Sequence, residues 1–213
     1  MNVLHEYSFR QIINSILSIP ASAVALAILA TIISYASISV YDYMALPYTE
    51  KRMPLTKTVF TSFCAYAISN SLGMTAVTSN AIRYRLYSSW GLGAAEVAVV
   101  AFITTLFLVL SALTLVSAGL LIDSEIFKTV FHLPKPLGAA LGTVCAVVAG
   151  GGLVFFLRGP GTASFRKISI NLPSKRHVTS QWIIGMIDWI TMAATLYVLL
   201  PNSPEFTFLA FVP

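Results

Sequence analysis

The 213-residue chain is 57% hydrophobic and only 10% charged, with a net charge of +5 and a mean hydropathy of +0.81. Soluble domains carry roughly 25% charged residues, so a water-facing globular surface is excluded. The basic residues lie in short connections between apolar runs, which is the positive-inside pattern of membrane proteins rather than the patch of a nucleic-acid binder.

Taken in order, the apolar runs predict an all-α polytopic membrane bundle of about five transmembrane or re-entrant helices with interfacial helices beside them. The uncharged stretches Gln11 to Tyr41, Thr58 to Ile82, Val97 to Ile122 and Pro136 to Leu157 each exceed the roughly 20 residues that cross a bilayer core. Residues 1–20 read as an amphipathic interfacial helix, with Phe9, Ile12, Ile13, Ile16 and Leu17 at helical spacing. The transmembrane domain then runs over 21–200. Its first span, about Ala21 to Tyr43, is followed by a polar turn containing Pro47, Glu50, Lys51, Arg52 and Pro54. The second segment, from Leu55, is crowded with Ser69, Asn70, Ser71, Gly73, Thr75, Thr78, Ser79 and Asn80. Polar irregular backbone at membrane depth is tolerated only inside protein or beside a watery cavity, so this segment either spans or re-enters.

A third span covers about Ala94 to Ile122, with Glu96 in its first turn, where a carboxylate suits the helix N-terminus. Ile126, Phe127, Val130 and Phe131 form one face of a short interfacial stretch. The fourth span, about Leu137 to Leu157, holds Gly138 and Gly142 at GxxxG spacing and Gly150 to Gly152, which permit close helix contact. Arg158, Arg166, Lys167, Lys175 and Arg176 precede the fifth span, about Val178 to Leu200, and mark a cytoplasmic connection. Counting five crossings from it places the N-terminus in the cytoplasm. Residues 201–213 read as the start of a further, truncated helix.

Few polar groups are available for chemistry. Asp188 lies between Trp182 and Trp189 in the fifth span, where an acid costs roughly 2.5 to 3.5 kcal/mol to insert and so calls for a partner. Arg83 and Arg85, in the string IRYRLY, are the candidates; the plainer reading makes them topology markers and Asp188 a structural acid. Asp42 either snorkels from the end of the first span or belongs to a site. Cys64 and Cys145 sit in apolar runs without metal spacing, and His5, His132 and His177 are isolated at expected surfaces, so no metal site or cofactor is expected. No catalytic motif is present.

The strings SISVYDYMAL (37–46), SFCAYAISNSLGM (62–74), AIRYRLYSSWGL (81–92) and GMIDWITMAATLYVLLP (185–201) resemble, in order, the N-terminal membrane half of the lysylphosphatidylglycerol synthetase/flippase family. The resemblance implies a bacterial cytoplasmic-membrane protein. Its membrane half would move aminoacylated phosphatidylglycerol to the outer leaflet and so confer resistance to cationic antimicrobial peptides. Its partners would be that phospholipid, a separate or downstream lysyltransferase domain and a homo-oligomeric copy, with no nucleic acid bound directly. At the matching positions it implies a lipid-binding set of Asp42, Asn70, Gly73, Arg83, Arg85 and Asp188. Carboxylates there would receive ammonium groups, and a guanidinium would hold phosphate. The competing expectation is a noncatalytic scaffold or gene remnant that binds a partner through the glycine-rich fourth span.

Overall fold

The computed structural model describes residues 13, 17–49, 51–72, 75–122, 135–158, 161–165, 168–172 and 174–200. Among the described residues, six helices form an all-α bundle: α1 Ala21–Ala45, α2 Leu55–Leu72, α3 Thr75–Ser89, α4 Ala94–Ile122, α5 Lys135–Phe156 and α6 Lys175–Leu199. Between α5 and α6 lies a two-stranded antiparallel hairpin, β1 Gly161–Phe165 and β2 Ile168–Leu172. The basic connection foreseen there therefore contains a small β element. Its sequence explains it, since Ile168, Ile170 and Leu172 alternate with Ser169 and Asn171 at the period of a strand. The expected interfacial pieces at 1–20 and around 126–131, and the segment 201–213, lie wholly or almost wholly outside the described residues.

Four helices are long and apolar enough to cross a membrane: Ala21–Tyr48, which is α1 with the 3-10 turn Leu46–Tyr48 that ends it, Ala94–Ile122, Pro136–Phe156 and Lys175–Leu199. The burial pattern agrees with a lipid surround. Leu26, Ile28, Leu29, Ile32 and Val147 are exposed, whereas Ser37, Asp42, Thr58, Ser62, Thr104, Ser111 and Gln181 are buried. In water this distribution would be inverted; in lipid, apolar side chains face the solvent and polar ones serve as contacts between helices.

The second hydrophobic segment is not one continuous helix. It divides into α2 and α3, and residues 73 and 74 between them are not described. The pairs that touch are symmetric about that break: Arg83 lies over the Tyr66 ring at 4.8 Å, Trp90 lies 6.3 Å from Phe60, and Lys57 sits over the Trp90 ring at 5.4 Å. Such pairing is that of an antiparallel helical hairpin that enters and leaves at one end of the bundle. A straight span would carry residues 57 and 90 about 50 Å apart. The packing is that of the re-entrant alternative, and four helices among the described residues are long and apolar enough to cross a membrane.

The turn out of the hairpin is built by local rules. Gly91 has φ +94°, with Leu92 N–H donating to Tyr87 O and Gly91 N–H to Ser88 O; these are the two bonds of a Schellman motif, which needs glycine at its left-handed position. Glu96 then reaches back to accept from Gly93 N–H at 2.7 Å, so its helix-capping role is as expected. Helices α4 and α5 lie antiparallel: a Cβ at Gly142 would stand 3.0 Å from Leu120, and one at Gly152 2.8 Å from Leu110, whereas Gly150 and Gly151 face open space.

Tyr48 joins the ends of several elements. Its ring lies 6.2 Å from Phe107, 6.1 Å from Phe156 and 6.0 Å from His177, and its hydroxyl donates to Gln181 Oε1 at 3.0 Å. The end of α1, the end of α5 and the start of α6 therefore meet there. His177 is also held by Met44 O, 2.7 Å from its Nε2, which corrects the expectation of an isolated, solvated histidine. Because a carbonyl only accepts, Nε2 carries the proton. Helix α6 then runs back along α1.

Gly185 makes the tightest contact in that arrangement. A Cβ there would run into Ser111 Oγ and lie 3.2 Å from the Tyr41 ring. Gly185→Val is expected to lower stability in detergent by about 1–3 kcal/mol through overpacking, and Gly185→Val with Ser111→Gly to recover part of the loss. Thermal unfolding of the purified protein reads both.

Candidate functional site

The deepest polar cluster is built from four helices. Hydroxyls on α2 recur on one buried face, Thr58, Thr61, Ser62 and Ser69, at the three- and four-residue spacing of a helix. That face meets α1 at Asp42, which is fully buried. Arg83 from α3, 2% exposed, grips the carboxylate with both arms, Nε to Oδ2 at 3.0 Å and Nη2 to Oδ1 at 2.9 Å. Ser62 Oγ donates to Oδ2 at 2.7 Å, and Thr104 Oγ1 of α4 to Oδ1 at 3.1 Å. Arg83 is completed by Tyr66 beneath its guanidinium and by Asn80 Oδ1, 3.4 Å from Nη1.

Asp42 thus accepts four hydrogen bonds, the full capacity of an ionised carboxylate. A buried charge pair is tolerated in an apolar interior when its geometry is good and its remaining valences are filled. The pairing of Asp188 with Arg83 or Arg85 expected from the sequence does not form. Arg83 is committed to Asp42, and Arg85 is exposed and makes no ion pair among the described residues.

Asp188 has a different setting. It is 8% exposed on α6, takes a hydrogen bond from Ser34 Oγ of α1 at 2.5 Å, and pairs with no Lys, Arg or His among the described residues. The flanking tryptophans turn to the neighbouring helix: Trp182 Nε1 donates to Thr114 Oγ1 at 3.2 Å, and Trp189 Nε1 to Leu108 O at 3.0 Å. Ser111 Oγ donates to Trp182 O at 3.0 Å. These bonds hold α6 against α4 and leave the acid directed to α1.

Of the six residues singled out from the sequence, Asp42 and Arg83 are brought together. Asp188 stands on another helix pair, Asn70 and Arg85 are exposed, and Gly73 lies outside the described residues. The residues that complete the two acids, Ser34, Ser62 and Thr104, and those that complete Arg83, Tyr66 and Asn80, were missed. The hydroxyl face of α2 was readable as a period. Its acidic target, 20 residues earlier in the chain, was not. No group of three or more His, Cys, Asp or Glu among the described residues is arranged to hold a metal ion.

If Asp42–Arg83 is a structural lock, removing one partner leaves a buried charge alone. Arg83→Met is expected to destabilise by about 3–5 kcal/mol, Arg83→Lys to fail as a rescue because an ammonium lacks the guanidinium fork, and Asp42→Asn with Arg83→Gln to be less damaging than either single change summed. A double-mutant cycle on thermal unfolding in detergent measures the coupling.

No family model matches the chain. It is similar to the uncharacterized protein slr0712 of Synechocystis sp., at 33% identity over 215 residues, a match that covers 98% of this chain and 65% of that protein. The chain therefore spans a little under two thirds of the length of this relative.

Proposed function

We propose that the chain is the membrane portion of a lipid-handling protein that binds aminoacylated phosphatidylglycerol and passes it between leaflets. The observation that carries this reading is the contrast between two intramembrane acids. Asp42 is saturated by its neighbours, whereas Asp188 has one hydroxyl donor and no cation among the described residues. An intramembrane acid without a counter-ion marks a place where a cationic group is received during function. The ammonium of an aminoacyl lipid supplies that charge, as the resemblance of the chain implies. In this reading Asp188 receives the ammonium, Asn70 and Arg85 are free to meet headgroups, and Asp42 with Arg83 fixes the helical hairpin instead of touching the lipid.

The scaffold alternative drew on the glycines of the fourth span. Gly142 and Gly152 are spent on contact between α4 and α5 within the chain, whereas Gly150 and Gly151 face open space.

The four-crossing count also reverses the expected orientation. Both ends of the hairpin, the end of α5 and the start of α6 lie at one end of the bundle. By place in the chain, Lys51, Arg52, Lys57, Arg85, Arg158, Arg166, Lys167, Lys175 and Arg176 belong to that end, nine cations against three, Arg10, Lys128 and Lys135, at the other, with Arg83 buried between them. The positive-inside bias then puts the loop-rich end in the cytoplasm and the start of α1 outside.

Two experiments test these readings. In a bacterium making lysylphosphatidylglycerol with the full-length protein, Asp188→Asn should lower the fraction of lysyl lipid reached by an impermeant amine reagent several-fold while total lysyl lipid stays constant; unchanged sidedness would refute the translocation reading. In a Cys64→Ser, Cys145→Ser background, Lys51→Cys should resist an impermeant maleimide in intact cells and Ser22→Cys should react. The opposite pattern restores a cytoplasmic N-terminus.

A further inference from the structure

Beside Tyr48, the connection from α1 to α2 shapes a second polar feature that neither acid uses. The 3-10 turn Leu46–Tyr48 is closed by Thr49, whose Oγ1 donates to Leu46 O at 2.8 Å and accepts from Lys51 N–H at 3.2 Å. This local knot sets the direction in which Lys51 and Arg52 leave the bundle. Next to it is a cavity of about 550 Å³ whose lining includes Lys51, Arg52, Thr49 and His177 together with Tyr43 and Met53.

Its two described charged residues are both cationic. No carboxylate lines the cavity among the described residues, Glu50 not being one of them, and the one ion pair among those residues is Arg83–Asp42. Two full positive charges and an imidazole therefore share one concavity with no described acid. Strand β2 packs against the same 3-10 turn. A guanidinium and an ammonium at one site suit a tetrahedral oxyanion, the first by paired hydrogen bonds and the second as a point charge. The apolar residues in the lining suit an ester carbon skeleton attached to that anion.

We infer that this cavity binds a phosphate ester, supplied either by the headgroup of an anionic phospholipid or by a soluble glycerol phosphate. The site is separate from Asp188 and does not depend on translocation. Lys51 and Arg52 carry the affinity, and Tyr43 with Met53 accommodates the organic part.

The test uses the purified full chain in detergent. Phosphatidylglycerol is titrated by native mass spectrometry, with phosphatidylcholine as the zwitterionic comparison, and glycerol 3-phosphate by calorimetry. Lys51→Ala with Arg52→Ala should weaken binding of whichever phosphate probe the native protein takes by about tenfold or more, the effect of losing charge-assisted hydrogen bonds. Lys175→Ala with Arg176→Ala, which removes the same charge from exposed positions outside the cavity, should change it by less than about threefold. Binding of phosphatidylglycerol alone identifies a lipid headgroup as the source, and binding of glycerol 3-phosphate identifies a soluble one. Equal losses in the two double variants, or no binding of either probe, would overturn the inference. Should the Lys51/Arg52 double variant unfold, the single changes Lys51→Gln and Arg52→Gln carry the same comparison.

Discussion

A carboxylate and a guanidinium sealed away from water are the constraint around which the first four helices are arranged. Asp42 and Arg83 come from α1 and α3, and their remaining hydrogen bonds draw in Ser62 and Tyr66 from α2 and Thr104 from α4. Neither charge is stable in an apolar interior without the other, so the hairpin α2–α3 is held against α1 and α4. The hairpin itself is too polar to rest against lipid on all sides; Thr58, Thr61 and Ser69 bond to carbonyls three or four residues earlier, and Ser62 reaches across to the acid.

The rest of the assembly follows the logic of a lipid solvent. Because acyl chains are as apolar as leucine, burying leucine between helices gains little, and close backbone approach and hydrogen bonds hold the helices together. Gly142 and Gly152 bring α5 onto α4, and Gly185 brings α6 onto Ser111 of α4 and Tyr41 of α1. Two indoles and a serine stitch the same α4–α6 seam. At the loop-rich end Tyr48 joins the termini of three elements, so that the connections, with their cations, are gathered on one side.

This arrangement separates two kinds of charge. The Asp42–Arg83 pair is spent on architecture. Asp188, with only Ser34 donating to its side chain, and the cavity bearing Lys51 and Arg52 remain open to chemistry from outside the fold.

Much of this was legible in the chain. Its shortage of charge and the length of its apolar runs settled the solvent, the helical class and four of the spans, because a backbone in hydrocarbon must satisfy its own hydrogen bonds. The polar residues around Ser69 to Asn80 announced an irregular segment, and Glu96 announced a helix start. Which cation meets which acid was beyond it. Asp42 and Arg83 are 41 residues apart, and Asp188 is no less plausible a partner by composition. The choice between spanning and re-entering was equally beyond local pattern. Both were decided by tertiary packing, because an ion pair and an antiparallel hairpin depend on where distant helices stand, and local propensity and hydropathy act only over a few turns.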